Sequence, residues 1–282
     1  MFFSNFAKNE GEVTVRDIHA FTYLAILLLL LLCGCNYKLK PFAEEQPDTL
    51  EVKVQRYDRM ESLYLTTGDF SALQQMSTEY ANETRTLIEN VLNLGTVDDP
   101  EINNKFLRFF QDSTLQAIIA EAEMQYANTD DLNTQLSAAF HKLKQMMPDI
   151  KIPIVYAQIC ALDQSIVVGD GSIGICLDKY LGADYPIYQK YYNLEQRKTM
   201  TREHIVPDFL SFYLVTSYPL ENFSEASQED LMLHWGKVQW VVNKIIGKKF
   251  FKTEGVNRVE RYMAKHPNTS VYTLLTSKST PI

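Results

Sequence analysis

Beyond about residue 50, apolar residues recur every three or four positions along most of the chain, a spacing that predicts amphipathic helices. The predicted helical windows are 70–94, 106–126, 132–147, 207–217, 227–247 and 256–265. Asp112 divides the second window and is a candidate start for a new helix. Ser227 with Asp230 resembles a capping box, and Gly247 is a natural helix end.

Short runs of β-branched and aromatic residues predict a small sheet in the middle of the chain. The runs lie at 152–156, 165–168 and 172–177, and a weaker one lies at 51–57. The glycines around Asp170 stand between two strands and not before a helix, so they indicate a hairpin turn rather than a phosphate cradle. The pattern predicts a mainly helical α+β domain with a small antiparallel three-stranded sheet.

The start of the chain has a different character. A mostly apolar run at 21–32 is shorter than the ~20 residues that a membrane-spanning helix needs, and it fits the core of a secretory signal. It ends in Leu32-Cys33-Gly34-Cys35, which resembles a bacterial lipobox and predicts that Cys35 is lipidated. An ordinary signal peptide or a short anchor helix is the alternative. The predicted divisions are a signal peptide at 1–35, a linker at 36–50 and one globular domain at 51–282.

Charge narrows the expected partners. The formal net charge is −8, and the first 35 residues contribute two positive and three negative charges, which leaves about −7 for the rest. No stripe of lysine and arginine is present, so nucleic acid is not an expected partner. The expected partners are the membrane, reached through the lipid on Cys35, and envelope proteins of unknown identity.

Two cysteines lie in the predicted domain, Cys160 and Cys176, in neighbouring strand-like segments. An exported chain meets oxidising conditions, so the two can form a disulfide. They can equally be two small buried apolar side chains. Neither has a cysteine or histidine partner at ligand spacing, so no metal site is expected there and no cofactor is predicted.

The sequence contains no established catalytic motif. No two histidines of the domain have the i, i+4 spacing that would place both on one helix face for zinc. His204, Asp208 and His234 are weak candidates for metal ligands, if the fold brings their helices together. Asp58 and Arg59 are candidates for a functional pair, and the simpler interpretation, which we adopt, is a surface ion pair.

Several segments resemble the gliding-motility lipoprotein family GldB of the Bacteroidetes. They keep the order of the family and cover most of the chain after Cys35, and Leu-Asp-Lys-Tyr-Leu-Gly at 177–182 is the most specific. The segments are 56–58, 106–110, 153–156, 174–182, 204–208 and 233–237. No acidic residue directly follows Cys35, which favours the outer membrane, and the resemblance implies that the domain faces the periplasm.

The family is similar in turn to zinc metallopeptidases with an HExxH helix, which implies a degenerate zincin-like fold. The helix from Pro207 would hold that motif, but it reads Pro-Asp-Phe-Leu-Ser-Phe-Tyr-Leu and contains no histidine. Trp235 stands where a downstream glutamate ligand is expected. Because a catalytic zinc typically has three protein ligands, the resemblance implies a peptidase-like scaffold without peptidase chemistry.

Three hypotheses about function follow. The first is a lipoprotein that is not an enzyme and serves as a scaffold or assembly factor of gliding or secretion machinery. The second is a metal-dependent, peptidase-like hydrolase that uses His204, Asp208 and His234 as unconventional ligands. The third is a ligand-binding lipoprotein in which tyrosines of segment 180–192 line a groove, although packing of these rings onto the core is the simpler interpretation.

Overall fold

Helices dominate residues 50–277, the part of the chain that the computed structural model describes. The predicted signal peptide, Cys35 and the linker up to residue 49 lie outside the described residues. The strands are β1 (Val54–Gln55), β2 (Ile154–Gln158), β3 (Ile166–Val168) and β4 (Ser172–Cys176). The helices are α1 (Tyr57–Thr67), α2 (Phe70–Glu79), α3 (Ala81–Arg85), α4 (Ile102–Phe109), α5 (Ser113–Gln125), α6 (Asp130–Met146), α7 (Pro186–Tyr191), α8 (Leu194–Thr199), α9 (Ile205–Ser217), α10 (Gln228–Ile246), α11 (Glu254–Lys265) and α12 (Val271–Thr276). The prediction of a mainly helical α+β fold is confirmed.

The strands form one mixed sheet in the order β1-β2-β4-β3. β1 pairs with β2 and β2 pairs with β4 in parallel, whereas β3 pairs with β4 in antiparallel orientation. The hairpin predicted around Asp170 is confirmed, because it joins β3 to β4. The prediction of a three-stranded antiparallel sheet is wrong, because the sheet has four strands and is mixed. β4 lies between β2 and β3, and it runs parallel to β2 and antiparallel only to β3.

Side-chain packing explains why β2 and β4 are neighbours. A Cβ atom at Gly174 would lie 2.7 Å from Nε2 of Gln158 and 2.7 Å from the ring of Tyr156, so two side chains of β2 cross the space that this glycine leaves open. β2 and β4 are also buried at nearly every position. Such nearly continuous burial is typical of parallel strands that are covered on both faces.

Most predicted helix ends are confirmed. The Asp112 carboxylate accepts hydrogen bonds from two backbone N–H groups of the first turn of α5. Ser227 opens α10 with a capping box, and Gly247 ends it with a φ of 76°. The helix predicted at 70–94 is instead divided into α2, α3 and a π-helical segment, Thr86–Val91. Within residues 50–277, no helix combines the length and the apolar character that crossing a bilayer requires.

Helices on the sheet bring several of the family-like segments together. α1 packs against β2, where the rings of Tyr57 and Tyr156 meet edge to face with centroids 6.1 Å apart. α9 packs against β3, β4 and α10, and its Phe209 contacts Phe140 of α6. The start of α1, the turn after β4 and the start of α9 therefore surround one region of the core.

α10 and α11 cross at two glycines. A Cβ atom on Gly236 would lie 2.5 Å from the carbonyl carbon of Gly255, and one on Gly255 would lie 2.5 Å from the carbonyl oxygen of Met232. Real Cβ atoms do not approach backbone atoms so closely. The backbones of the two helices therefore touch directly, and only glycine fits at either position.

Candidate functional site

The structure places the three weak metal-ligand candidates in separate settings. His204 precedes α9, where its Nδ1 lies 2.7 Å from the hydroxyl of Thr201. Asp208, one turn later, accepts a hydrogen bond of 3.0 Å from the hydroxyl of Tyr180. His234 is buried on α10, and its Nε2 has no hydrogen-bond partner. Among residues 50–277, no three or more histidine, cysteine, aspartate or glutamate side chains form a group that could hold a metal ion.

Burial shifts the titration of these three side chains. It lowers the pKa of His204, and Lys248 adds to the effect while Glu203 opposes it. It also lowers the pKa of His234, with a further contribution from Lys237. Burial raises the pKa of Asp208 to about 7, against the lowering effect of the Tyr180 hydrogen bond. Both histidines are therefore favoured in the neutral form, and Asp208 titrates near neutral pH.

A network of arginine and aspartate joins the start of α1 to the end of α5. Arg56 makes two hydrogen bonds to the Asp58 carboxylate, at 2.8 and 2.7 Å, and Arg59 lies 3.7 Å from the same carboxylate. Both arginines also donate to the backbone carbonyl of Tyr126. Asp58 is only 2% exposed, so the interpretation of Asp58 and Arg59 as a surface ion pair is wrong.

Tyrosine hydroxyls extend this network to the turn after β4 and to α9. Tyr126 donates to the carbonyl of Tyr180 at 2.6 Å, and Tyr180 donates to Asp208. Tyr188 donates to the carbonyl of Asp178 and accepts from the N–H of Leu181. We call Asp58, Tyr126, Asp178, Tyr180, Tyr188 and Asp208, with the groups that they contact, the polar network. It links family-like segments that are distant in the sequence.

Asp178 holds the loop that follows β2. Its carboxylate is fully buried and accepts hydrogen bonds from the backbone N–H groups of Cys160, at 2.9 Å, and Leu162, at 2.6 Å. Ala161 and Leu162 have φ values of 50° and 64°, in the left-handed region that residues other than glycine seldom adopt. The most specific family-like segment therefore contains a residue that fixes a strained loop.

Glu61 is a buried carboxyl group that the sequence does not single out. It lies on α1, it is 0% exposed, and one of its oxygens accepts a hydrogen bond of 2.8 Å from the N–H of Ile159. Its other oxygen has no partner, and neither does the amide oxygen of Gln158. The bond from Ile159, the residue that follows Gln158, places the Glu61 carboxyl group beside the end of β2.

We expect Glu61→Gln to stabilise the protein at alkaline pH. Burial raises the pKa of Glu61 well above 4.5, with Asp178 and Asp58 adding to the effect and the Ile159 hydrogen bond opposing it. A raised pKa in the folded state stabilises the fold at acid pH, and this contribution is lost as the pH rises. The uncharged amide avoids that loss, and its oxygen can still accept the hydrogen bond from the N–H of Ile159. At pH 8 the free energy of unfolding, measured with urea, should rise by about 1–2 kcal/mol.

The same measurement at pH 4 distinguishes this cause from a general gain in stability. There Glu61 is protonated in both states, so wild type and variant should differ little. Glu51→Gln, at an exposed position, is the matched control and should have no effect at either pH. An equal gain from Glu61→Gln at pH 4 and pH 8 would contradict the role of the buried charge.

The tyrosines of segment 180–192 mostly pack inside the domain. Tyr180 and Tyr188 are buried, and Tyr192 donates a hydrogen bond of 3.1 Å to the carbonyl of Leu162. Lys179 lies 4.7 Å from the centre of the Tyr192 ring. Tyr191 is 65% exposed. Tyr180, Tyr188 and Tyr192 are thus engaged in holding the Asp178 turn, as the simpler interpretation of this segment expects.

The structure joins Cys160 and Cys176 in a disulfide, with Cα atoms 5.5 Å apart. Both residues are fully buried. The bond connects the loop after β2 to the end of β4, next to the backbone groups that Asp178 and Glu61 hold. It therefore reinforces the same corner of the fold as the polar network.

Comparison with known proteins identifies the family of the chain. A family model described as gliding motility protein GldB matches residues 40–251. That stretch contains the whole polar network and Gly236, and it ends before α11. No curated protein and no solved structure gives a significant match.

Proposed function

Because the chain belongs to the gliding motility protein GldB family, we propose that it is a non-catalytic envelope lipoprotein that acts as a scaffold or assembly factor. Its partners would be protein components of gliding or secretion machinery. The family membership supports the association with gliding motility. Beyond that association, we propose that the domain is not catalytic and that it serves as a scaffold.

The observation that carries the proposal is the set of hydrogen bonds that side chains of the family-like segments make. Polar side chains of three of these segments hydrogen bond within the domain: Arg56 to Asp58, Asp178 to the loop after β2, and Tyr180 to Asp208. Fully satisfied networks of this kind rigidify a core, so these side chains support a structural role for the segments that carry them. Their arrangement supports a role in which the surface of the domain binds other proteins.

We further propose that a lipid on Cys35 anchors the domain to the outer membrane, facing the periplasm. The lipobox-like segment supports this placement. We also propose that the fold is a degenerate form of the zinc metallopeptidase scaffold. This last proposal is supported by the mixed sheet with α9 packed against it and by the position of Asp208 on that helix.

Complementation of a deletion strain tests the proposal. We expect His204→Gln/Asp208→Asn/His234→Gln to restore the lost motility or secretion as well as wild type does, because a scaffold needs no metal ligands. Loss of function in a variant that remains folded would instead favour the hydrolase hypothesis. Since His234 is buried, Asp208→Asn alone is the second variant, and the melting temperature of each purified protein reports folding.

A specific observation keeps the hydrolase as the second candidate. The pKa of Asp208 is raised to about 7, and strongly shifted carboxyl groups are frequent at functional sites. Elemental analysis of the purified, folded wild-type protein decides between the two. Zinc that is present in stoichiometric amount and is lost in the triple variant would overturn the non-catalytic proposal.

We expect Cys35→Ala to release the protein from the membrane without unfolding it. The substitution removes the thiol that would carry the lipid, and position 35 precedes the predicted globular domain at 51–282. Cell fractionation should find the variant in the soluble fraction with an unchanged melting temperature. Cys33→Ala is the matched control and should stay bound to the membrane. A Cys35→Ala variant that remains in the membrane would show that the apolar run itself is the anchor.

A further inference from the structure

A cavity of about 230 Å³ lies at the C-terminal end of α10, where residues of α10, the following loop and α11 line it. We call it the basic pocket and define it by Trp240, Asn243, Lys244, Lys248, Lys249 and Glu260. Three of these side chains are exposed lysines, in a chain whose formal net charge is −8. The single carboxylate in this set, Glu260, is paired with Lys249 at 2.9 Å. The wall of the pocket thus carries an excess of positive charge.

The loop that presents two of the lysines is held in place. Asn243 is buried, and its side-chain oxygen accepts hydrogen bonds from the N–H groups of Phe250 and Phe251, at 3.0 and 2.9 Å. Its side-chain nitrogen donates to the carbonyl of Phe251 at 2.8 Å. Lys248 and Lys249 therefore extend from a backbone that one side chain fixes at three points, which lowers the entropy cost of binding.

Two lysines also lie over aromatic rings that orient them. Nζ of Lys244 is 4.9 Å from the centre of the Trp240 ring, and Nζ of Lys248 is 5.2 Å from that of Phe250. The ring of Trp240 is part of the pocket lining. These ring contacts hold the ammonium groups of Lys244 and Lys248 beside the pocket.

The end of a helix normally repels anions, since its last carbonyl groups carry partial negative charge. Here Lys142 of α6 donates a hydrogen bond of 2.7 Å to the carbonyl of Ile245. Its Nζ would lie 3.6 Å from a Cβ atom on Gly247, the residue that ends α10. A fourth cation therefore covers the negative end of the helix beside the basic pocket.

We propose that the basic pocket binds a phosphate group. Three lysine ammonium groups at one cavity match an anion with several acceptor oxygens, and a fixed loop suits one small ligand. Two sources supply this chemistry near a membrane, a phospholipid headgroup and free phosphate. The site does not depend on the scaffold role, and its outer wall on α11 lies beyond the stretch matched by the family model.

The test measures the melting temperature of the full chain in uncharged detergent, at rising concentrations of inorganic phosphate and constant ionic strength. A ligand that binds the folded state raises the melting temperature in a saturable way. We expect Lys244→Gln/Lys248→Gln/Lys249→Gln to weaken binding about tenfold, because it removes the charge-assisted contacts. Lys53→Gln/Lys190→Gln/Lys265→Gln changes the net charge equally at exposed positions elsewhere and should bind as wild type does.

A second arm separates the two sources of phosphate. Micelles that contain phosphatidic acid are compared with micelles that contain phosphatidylcholine. If phosphatidic acid binds more tightly than inorganic phosphate, and the Lys244/Lys248/Lys249 variant loses this binding, the site is assigned to a lipid headgroup. Equal or weaker binding of phosphatidic acid would assign the site to free phosphate. Equal weakening in both triple variants, or no saturable shift with either phosphate probe, would overturn the proposal.

Discussion

Gly236→Ala is expected to lower the free energy of unfolding by about 3 kcal/mol, although alanine is the better helix former. Alanine in a helix interior is favoured over glycine by about 1 kcal/mol. The added methyl group, however, would lie 2.5 Å from the carbonyl carbon of Gly255 and 2.7 Å from its carbonyl oxygen. These are backbone atoms, which cannot rotate away as the end of a side chain can. α10 and α11 must therefore move apart, and the loss of packing exceeds the gain in helix propensity.

Urea unfolding followed by circular dichroism measures this effect, and a lower midpoint with an unchanged slope is the expected result. Gly169→Ala is a suitable control, because the nearest atom to its added Cβ is a serine side-chain oxygen at 3.1 Å. A Gly236→Ala variant as stable as wild type would show that the two helices separate at little cost.

A reciprocal substitution tests the contact itself. Gly255→Ala should also destabilise the protein, since its Cβ would lie 2.5 Å from the carbonyl oxygen of Met232. Once one methyl group has pushed the helices apart, the second has less to displace. The double variant should therefore lose less stability than the two single variants added together. Additive losses would mean that the glycines act independently and that the crossing is not the cause.

The role of Gly236 could not be predicted from the sequence. Segment 233–237 resembles the family, but the reason for its glycine lies on α11, beyond the matched stretch. Helix ends were predictable because Asp112, Ser227 and Gly247 act on neighbouring residues of the chain. The parallel pairing of β2 with β4 depends instead on side chains of Tyr156 and Gln158 that cross Gly174, and periodicity does not encode such a contact.

The polar network was predictable only in part, for the same reason. The segments that carry Asp58, Asp178 and Asp208 are recognisable in the sequence, but their partners are not. Glu61 stands between Met60 and Ser62, where a glutamate on a helix normally faces solvent. It is buried because α1 lies on the sheet with Tyr57 against Tyr156, a fact of tertiary packing.

Asp178→Ala is expected to lower the free energy of unfolding by about 2–6 kcal/mol, because it leaves one buried and one half-buried N–H group without an acceptor, at about 1–3 kcal/mol each. Those groups belong to Cys160, which precedes the two left-handed residues of the loop, and to Leu162, which is one of them. Burial raises the pKa of Asp178 to about 6, so at pH 7.5 the carboxylate is ionised and accepts both bonds. Urea unfolding at pH 7.5, with the disulfide intact, measures the loss.

The matched control lies in the same loop. Asp163 is exposed, so Asp163→Ala should change stability by less than about 0.5 kcal/mol. Asp178→Asn keeps the shape of the side chain but offers only one acceptor oxygen, and its amide N–H groups would oppose the second backbone donor. Its loss of stability should therefore fall between those of Asp178→Ala and Asp163→Ala.

Hydrogen exchange separates the local cause from a general loss of stability. If Asp178 acts through the loop, the amides of Cys160 and Leu162 should exchange faster in Asp178→Asn under native conditions, while amides of α10 keep their protection. The loop after β2 would then be the part that opens first, because its strained backbone relaxes once the carboxylate is gone. Uniform acceleration across α10 and the loop would contradict that order. It would mean that the Asp178 turn is needed for the whole domain to fold.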